Sequence, residues 1–210
     1  MIKLQGLVGY WPFDEGSGTI VKDYSGNGNN GTLCNGSTCG VQGPTWTTGK
    51  VGGALSFDGV DDYVYIPYSL SLNLPRNNES VFLWIKHNSN YVLFQSSSWN
   101  RRLFATVWTF YDASNQHYNV NAGSPNDNTY HFVGYTVVNN TVKTYKDGDF
   151  VASASRSVNA VGPASSYWWL GRVCSGSSCS LYYSGLIDEV RIYNRALSDS
   201  EIKALYDATQ

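Results

Sequence analysis

At 210 residues the chain is long enough to bury a sizeable core, and its formal net charge of −2 supplies no basic field, which disfavours nucleic acid and anionic lipid as partners on electrostatic grounds. No apolar run approaches the roughly 20 residues that cross a bilayer, so membrane insertion is excluded as well. Hydrophobic residues make up 42% and charged residues 14%, with 16 Tyr, 8 Phe and 7 Trp, a mixture that favours strands over helices. Alternating or aromatic-rich runs predict strands at Leu7 to Phe13, Ala54 to Phe57, Tyr63 to Ile66, Val81 to Lys86, Tyr91 to Gln95, Arg102 to Phe110 and His117 to Val120. They continue at Tyr130 to Val138, Thr141 to Lys146, Phe150 to Ala154, Trp168 to Leu170 and Leu186 to Tyr193. Asn139-Asn140 and Asp147-Gly148 read as tight turns, which makes Tyr130 onward a three-stranded meander in one sheet. One helix is expected at the C-terminus, with Ser198 as N-cap, Glu201 three residues on, and Leu197 stapled to Ile202. Strands without an intervening helical pattern imply an all-β, two-sheet antiparallel sandwich, and with no linker in the chain residues 1–210 are expected to form a single domain.

Cys34 and Cys39 enclose Asn-Gly-Ser-Thr, and Cys174 and Cys179 enclose Ser-Gly-Ser-Ser. Equal spacing in two polar, turn-forming loops predicts two local disulfides; a four-cysteine zinc site, usually built on tighter knuckles, would require the loops to meet. Disulfides imply an oxidising compartment, hence an extracellular or cell-surface protein. Met1-Ile2-Lys3-Leu4-Gln5 has no apolar stretch of a signal peptide, which also suits a virion component.

Three segments carry a family resemblance. The first is Leu7-Val8-Gly9-Tyr10-Trp11-Pro12-Phe13-Asp14-Glu15-Gly16 with Asp23-Tyr24-Ser25-Gly26-Asn27-Gly28-Asn29-Asn30-Gly31. The second is Gly49-Lys50-Val51-Gly52-Gly53-Ala54-Leu55-Ser56-Phe57-Asp58-Gly59-Val60-Asp61-Asp62-Tyr63-Val64, and the third is Gly185-Leu186-Ile187-Asp188-Glu189-Val190-Arg191-Ile192-Tyr193-Asn194-Arg195-Ala196-Leu197-Ser198. Together they resemble the laminin-G-like domains of the concanavalin A-like superfamily. The resemblance implies a jelly roll in which the first and last strands lie side by side.

Asp23 to Asn29 offers oxygen-bearing side chains at alternate positions with glycines between, a pattern suited to a structural calcium ion. The resemblance to sandwiches that tie the N-terminal segment to an acidic residue of the last strand nominates Asp188 as the completing ligand, with Asp14 beside it. The competing expectation is that Asp23 and Asn27 form Asx-turns without metal. Asp58, Asp61 and Asp62 stand in reserve as ligands.

Sandwich glycosidases need two carboxylates flanking one bond. Glu15, Glu79, Glu189 and Glu201 have no acidic partner two to four residues away on an interior strand, and Asp188 and Glu189, adjacent in a strand, are expected on opposite faces. Arg101, Arg102, Gln116, His117 and Tyr118 only loosely approximate a polysaccharide lyase. Trp99, between Ser98 and Asn100 in a polar loop, suits stacking on a sugar ring, with Asn100 and Arg101 to meet hydroxyls and Trp108 and Tyr118 to extend the surface. Trp11, Trp84 and one of Trp168 and Trp169 are expected in the core. The expectation is a non-catalytic carbohydrate-binding or adhesive module with a glycan or cell-surface partner. A self-associating surface or phage subunit comes next, and an enzyme of the same fold last.

Overall fold

The computed structural model describes residues 5–74, 77–87, 94–96, 101–104, 107–111, 116–123, 127–155, 167–175 and 178–210, with 94–96, 101–104, 111, 175, 178 and 180 described as backbone. The strands are β1 (Leu7–Trp11), β2 (Ile20–Val21), β3 (Gly31–Asn35), β4 (Thr38–Cys39), β5 (Thr45–Thr48), β6 (Gly53–Asp58), β7 (Asp62–Ile66) and β8 (Asn78–His87). They continue with β9 (Phe94–Ser96), β10 (Arg101–Phe104), β11 (Val107–Tyr111), β12 (His117–Asn121), β13 (Tyr130–Val138), β14 (Thr141–Lys146) and β15 (Asp149–Ser155). Last come β16 (Trp168–Leu170), β17 (Arg172–Ser175), β18 (Ser178–Tyr182), β19 (Ser184–Tyr193) and the helix α1 (Asp199–Asp207).

Among the described residues, one sheet runs β15-β14-β13-β8-β19-β6-β5 with β1 beside β19, and a second runs β12-β11-β10-β9-β16-β7-β3-β2 with β4 beside β3. The meander is present as expected. Both of its turns have two left-handed residues, Asn139 and Asn140 in one and Asp147 and Gly148 in the other, the geometry that matches the twist of a hairpin. The end strands also meet, with Leu7 opposite Tyr193 and Trp11 opposite Val190.

The main core lies between the sheets, where Trp11, Leu83, Ile85, Tyr135, Ile187 and Val190 of the first meet Val64, Ile66, Trp108, Phe110, Trp168 and Leu170 of the second. Each such side chain contributes roughly 1.5–3 kcal/mol when fully buried. A second cluster lies on the other face of the first sheet, where Phe82, Trp84, Phe132, Tyr145 and Tyr193 are covered by Ile202 and Leu205 of α1. Ser198 accepts from the Glu201 amide while the Glu201 carboxylate accepts from the Ser198 amide, so the expected capping box forms. Arg195 holds Glu201 from the other side and draws its carboxyl down to about 2.

Two expectations need correction. The run from Arg102 to Phe110 is not one strand: β10 and β11 fold on each other, Arg102 opposite Thr109 and Phe104 opposite Val107. Ala105-Thr106 carries none of the residues that announce a turn, and apolar alternation continues through it. Asp188 and Glu189 also do not alternate. Asp188 opposes Trp84 and Arg191 opposes Phe82, leaving Glu189 and Val190 against the single Leu83. The extra residue is Glu189, at φ 55 in the left-handed region. This bulge sits where β19 exchanges β6 for β1 as its neighbour, and it turns the Glu189 carboxylate toward Tyr10 and Arg191 on the α1 side of the sheet.

Candidate functional site

The outer face of the second sheet, away from the main core, carries a transverse row of residues. Register aligns Thr32 with Tyr65, Tyr65 with Trp169, Trp169 with Gln95, Gln95 with Arg102, Arg102 with Thr109, and Thr109 with Asn119. Pleating is the reason: Val64, Ile66, Trp168 and Leu170 point into the core, so Tyr63, Tyr65 and Trp169 point out. Tyr65 and Tyr167 lie with ring centroids 5.5 Å apart, and Tyr167 meets Trp169 edge-on at 4.7 Å. Both tyrosines are half-buried, and burial, followed by the neighbouring Tyr167 and Tyr63, raises the Tyr65 phenol pKa. Arg172 places its guanidinium 3.4 Å above the Tyr63 ring and 4.7 Å above that of Trp169. Trp169 Nε1 and Arg172 Nε are buried donors without a hydrogen-bond partner among the described residues. At the far end of the row, Thr109 Oγ1 donates to Asn119 Oδ1 at 2.7 Å.

The two predicted disulfides buttress this face. Cys34 bonds Cys39 and Cys174 bonds Cys179, each pair in direct register across a hairpin. They pack with Tyr63 and Trp169, and the Tyr63 hydroxyl lies 3.3 Å from Cys39 Sγ. With every described sulfur in a disulfide, the four-cysteine zinc site is excluded.

Trp99 and Asn100 lie outside the described residues, and Arg101 is described as backbone at the start of β10. Trp108 and Tyr118 are corrected: both are buried in the main core, Trp108 edge-on to Tyr135 at 4.6 Å and Tyr118 stacked on Phe110 at 5.8 Å. Trp11 and Trp168 are in the main core and Trp84 beneath α1, as expected, while Trp169 takes the opposite face. The outward aromatics Tyr65 and Tyr167 were passed over in the sequence. Their signal was alternation, which separates Trp168 from Trp169 without saying which face is open.

Among the proposed metal ligands, Asp23 Oδ1 accepts from the amides of Tyr10 and Ser25, and Oδ2 from the Ser25 hydroxyl and the Asn29 amide, at 2.8–2.9 Å. Its acceptor positions are taken by protein donors. Asn27 turns its side-chain amide to Ser25 Oγ, while Asp14 accepts from Gly53 N at 2.7 Å. Asp188 accepts from Lys50 N and Val51 N, and its Oδ1 is buried without a partner. The only described group of three ligating side chains within 4.8 Å of one another is Asp58, Asp61 and Asp62, so Asp14, Asp23 and Asp188 are not gathered around one point. The N-terminal loop thus has the form of an Asx network. Melting curves in calcium and in chelator are expected to coincide; a rise of several degrees with calcium would show that the ion rearranges these residues.

Asp188 and Glu189, brought to one face by the bulge, form an adjacent acidic pair of the kind a catalytic acid and base would need. Burial, then the charge of Glu189, pushes the Asp188 carboxyl up to about 8. Yet Asp188 is 0% and Glu189 2% exposed, and Glu189 is held by Arg191 and by the Tyr10 hydroxyl. Asp188 is closed off, and Glu189, although it lines a cavity of about 310 Å³ with Tyr10, Asp14 and Arg191, has its carboxylate engaged by two protein partners.

A two-sheet sandwich closed by its first and last strands, with a C-terminal helix capped on one face and an aromatic row on the other, defines a jelly-roll domain. Residues 58–203 match the model of the concanavalin A-like lectin/glucanases superfamily, and the chain belongs to it. Among solved structures it is similar to domain 4 of AbnA, a GH43 extracellular arabinanase from Geobacillus stearothermophilus in complex with arabinotriose. Identity there is 22% and the TM-score 0.76, over 95% of this chain and 98% of that one. It is also similar to the binding domain of Paraclostridial Mosquitocidal Protein 1, at 16% identity and TM-score 0.71 over 97% of this chain and 52% of that one. The binding domain of botulinum neurotoxin DC in complex with SialylT gives 15% and 0.69, over 98% and 52%. The chain spans about half the length of these toxin domains. A search of curated proteins finds no match.

Proposed function

We propose that the chain is a non-catalytic, extracellular carbohydrate-binding module that holds a glycan across the outer face of its second sheet. The observation that carries this reading is the transverse row, in which the half-buried rings of Tyr65 and Tyr167, backed by the buried Trp169, offer surfaces for stacking on sugars, and Thr32 and Asn119 supply hydroxyl and amide groups for theirs. Trp99, Asn100 and Arg101, between β9 and β10 in the sequence, join the proposal as further sugar-contacting residues on the chemistry of their side chains alone. The arabinotriose and SialylT complexes of similar folds support a saccharide ligand. Two disulfides support an oxidising compartment. The burial of Asp188 and Glu189 supports a module without catalysis.

A glycan array tests it. Binding to at least one polysaccharide is expected, with Tyr65→Ala, Tyr167→Ala and Trp99→Ala each weakening it about tenfold, the effect of losing one stacking contact of about 1.4 kcal/mol. The reading fails if no glycan binds, or if the triple variant, folded by circular dichroism, binds as tightly as the parent. Release of reducing ends from a bound polysaccharide would reinstate the enzyme.

A further inference from the structure

The two long edges of the sandwich differ. On one, β12 is tied to the meander, with Thr144 Oγ1 donating to the Asn121 carbonyl at 2.5 Å. The other edge, between β5 of the first sheet and β2 and β3 of the second, opens as a cavity of about 430 Å³. Its walls come from the loop Gly16–Thr19 ahead of β2, from Leu33, and from Gln42 to Trp46 entering β5.

The chemistry of this edge is specific. Trp46 is partly buried against the main core, and its Nε1 donates to the Gly18 carbonyl at 2.9 Å, which fixes the indole in the wall of the groove and ties the two sheets' edges together. Among the described residues, Ser17, Thr19, Gln42 and Thr45 line the groove without a side-chain hydrogen bond, so their hydroxyl and amide groups are free to donate and accept. At Gly18, φ 86, a Cβ would meet nothing within 4 Å, so the absent side chain leaves the groove unobstructed. No charged side chain lines it, which disfavours phosphate, sulfate, carboxylate and ammonium ligands.

A fixed indole face, four unpaired hydroxyl and amide groups, no charge, and a volume within the roughly 300–1,000 Å³ of small-ligand sites together fit a neutral polyhydroxylated ligand. A second cavity of about 380 Å³ shares Ser17, Gly18 and Thr19 and reaches the half-exposed ring of Tyr24; Glu15 and Lys22, of opposite charge, also line it, and it provides room for further sugar units whose hydroxyls they can meet. We infer that the open edge of the sandwich is a second saccharide site, separate from the aromatic row, that takes a neutral oligosaccharide with one unit against Trp46.

The test is a titration of the isotope-labelled full chain with maltotriose, cellotriose, laminaritriose and arabinotriose, followed by two-dimensional nuclear magnetic resonance. The indole N–H of Trp46 and the amides of Ser17, Gly18 and Thr45 are expected to shift saturably with at least one of the four. Thr45→Arg, at an exposed position outside the core, is expected to weaken that response at least about tenfold by laying a long charged side chain across the groove, while the shifts of Trp169 and Asn119 are kept. Shifts at Trp169 and Asn119 without any at the edge overturn this inference and leave the first site standing. Edge shifts that survive Thr45→Arg unchanged overturn it too, and silence at both places overturns both readings.

Discussion

Replacing Arg191 with Leu is expected to cost about 3–5 kcal/mol of folding stability, read as a fall in melting temperature of roughly 10 °C or more. Arg191 is buried on the α1 side of the first sheet, its guanidinium paired with Glu189 and lying 4.4 Å from the Tyr10 ring. Glu189 has no solvent to retreat to. It is buried, fixed by the left-handed backbone of the bulge, and left with only the Tyr10 hydroxyl once the guanidinium is gone. Most of the expected loss is the cost of that uncompensated charge. Glu189→Gln combined with Arg191→Leu is therefore expected to recover a substantial part of it, because neither charge is then buried. A single variant within about 1 kcal/mol of the parent, or a double variant no better than the single, would show that the ion pair does not govern this junction.

Stability is expected to fall as pH rises from about 4 to about 8 in chelator. The folded-state pKa of Asp188 is raised from 3.8 to about 8, by burial first and then by Glu189, so the native state holds this proton more tightly than the unfolded chain does. Its contribution is fully present below about 4 and lost as pH passes through about 8. At about 1.4 kcal/mol per unit, the loss is on the order of 5 kcal/mol at most. Asp188→Asn keeps an oxygen to accept from Lys50 N and Val51 N and removes this titration, so its stability is expected to level off above about 6, keeping below that only the smaller fall due to Asp62, whose carboxyl burial and then Asp58 raise to about 6. Glu201 acts in the opposite sense at the acid end. Its pKa is lowered to about 2 by Arg195, so its contribution is present above about 4.5 and lost as pH falls through about 2. Denaturant titrations across pH check both; a wild-type profile no steeper than that of Asp188→Asn between about 6 and 8 would refute the assignment to Asp188.

Local signals carried most of the architecture. Two positive-φ turns, a capping box and runs of alternating side chains are written in a few consecutive residues each, and Asn139-Asn140, Asp147-Gly148 and Ser198 to Ile202 behave as their chemistry dictates. The end-to-end pairing of β1 with β19 was legible only through the family resemblance, because nothing within either segment names its partner. What escaped was set by distant contacts. Glu189 has no intrinsic preference for left-handed backbone; the exchange of β6 for β1 beside β19 imposes it. Likewise Tyr118 and Trp108 read as a plausible surface until their register places Val120 opposite Trp108, with all three facing the main core. The aromatic row crosses seven strands, spread in sequence from Thr32 of β3 to Trp169 of β16, and no single window contains it.

The pairing of β1 with β19 also decides how the fold responds to force. Leu7, at the start of β1, faces Tyr193, at the end of β19, so tension on the two ends acts across the strands and along the hydrogen bonds between them. Such a load opens the ladder bond by bond from Leu7 and Tyr193 inward, in place of shearing the whole row at once. Ahead of the ladder stand Thr209, which accepts from Trp84 Nε1 and anchors the end of α1, and Arg195, which donates to the Gln5 carbonyl. A pull would first peel the helix, then release the Arg195 clasp, and only then unzip the central strands, so this domain yields gradually at its ends while the aromatic row on the other sheet is still intact.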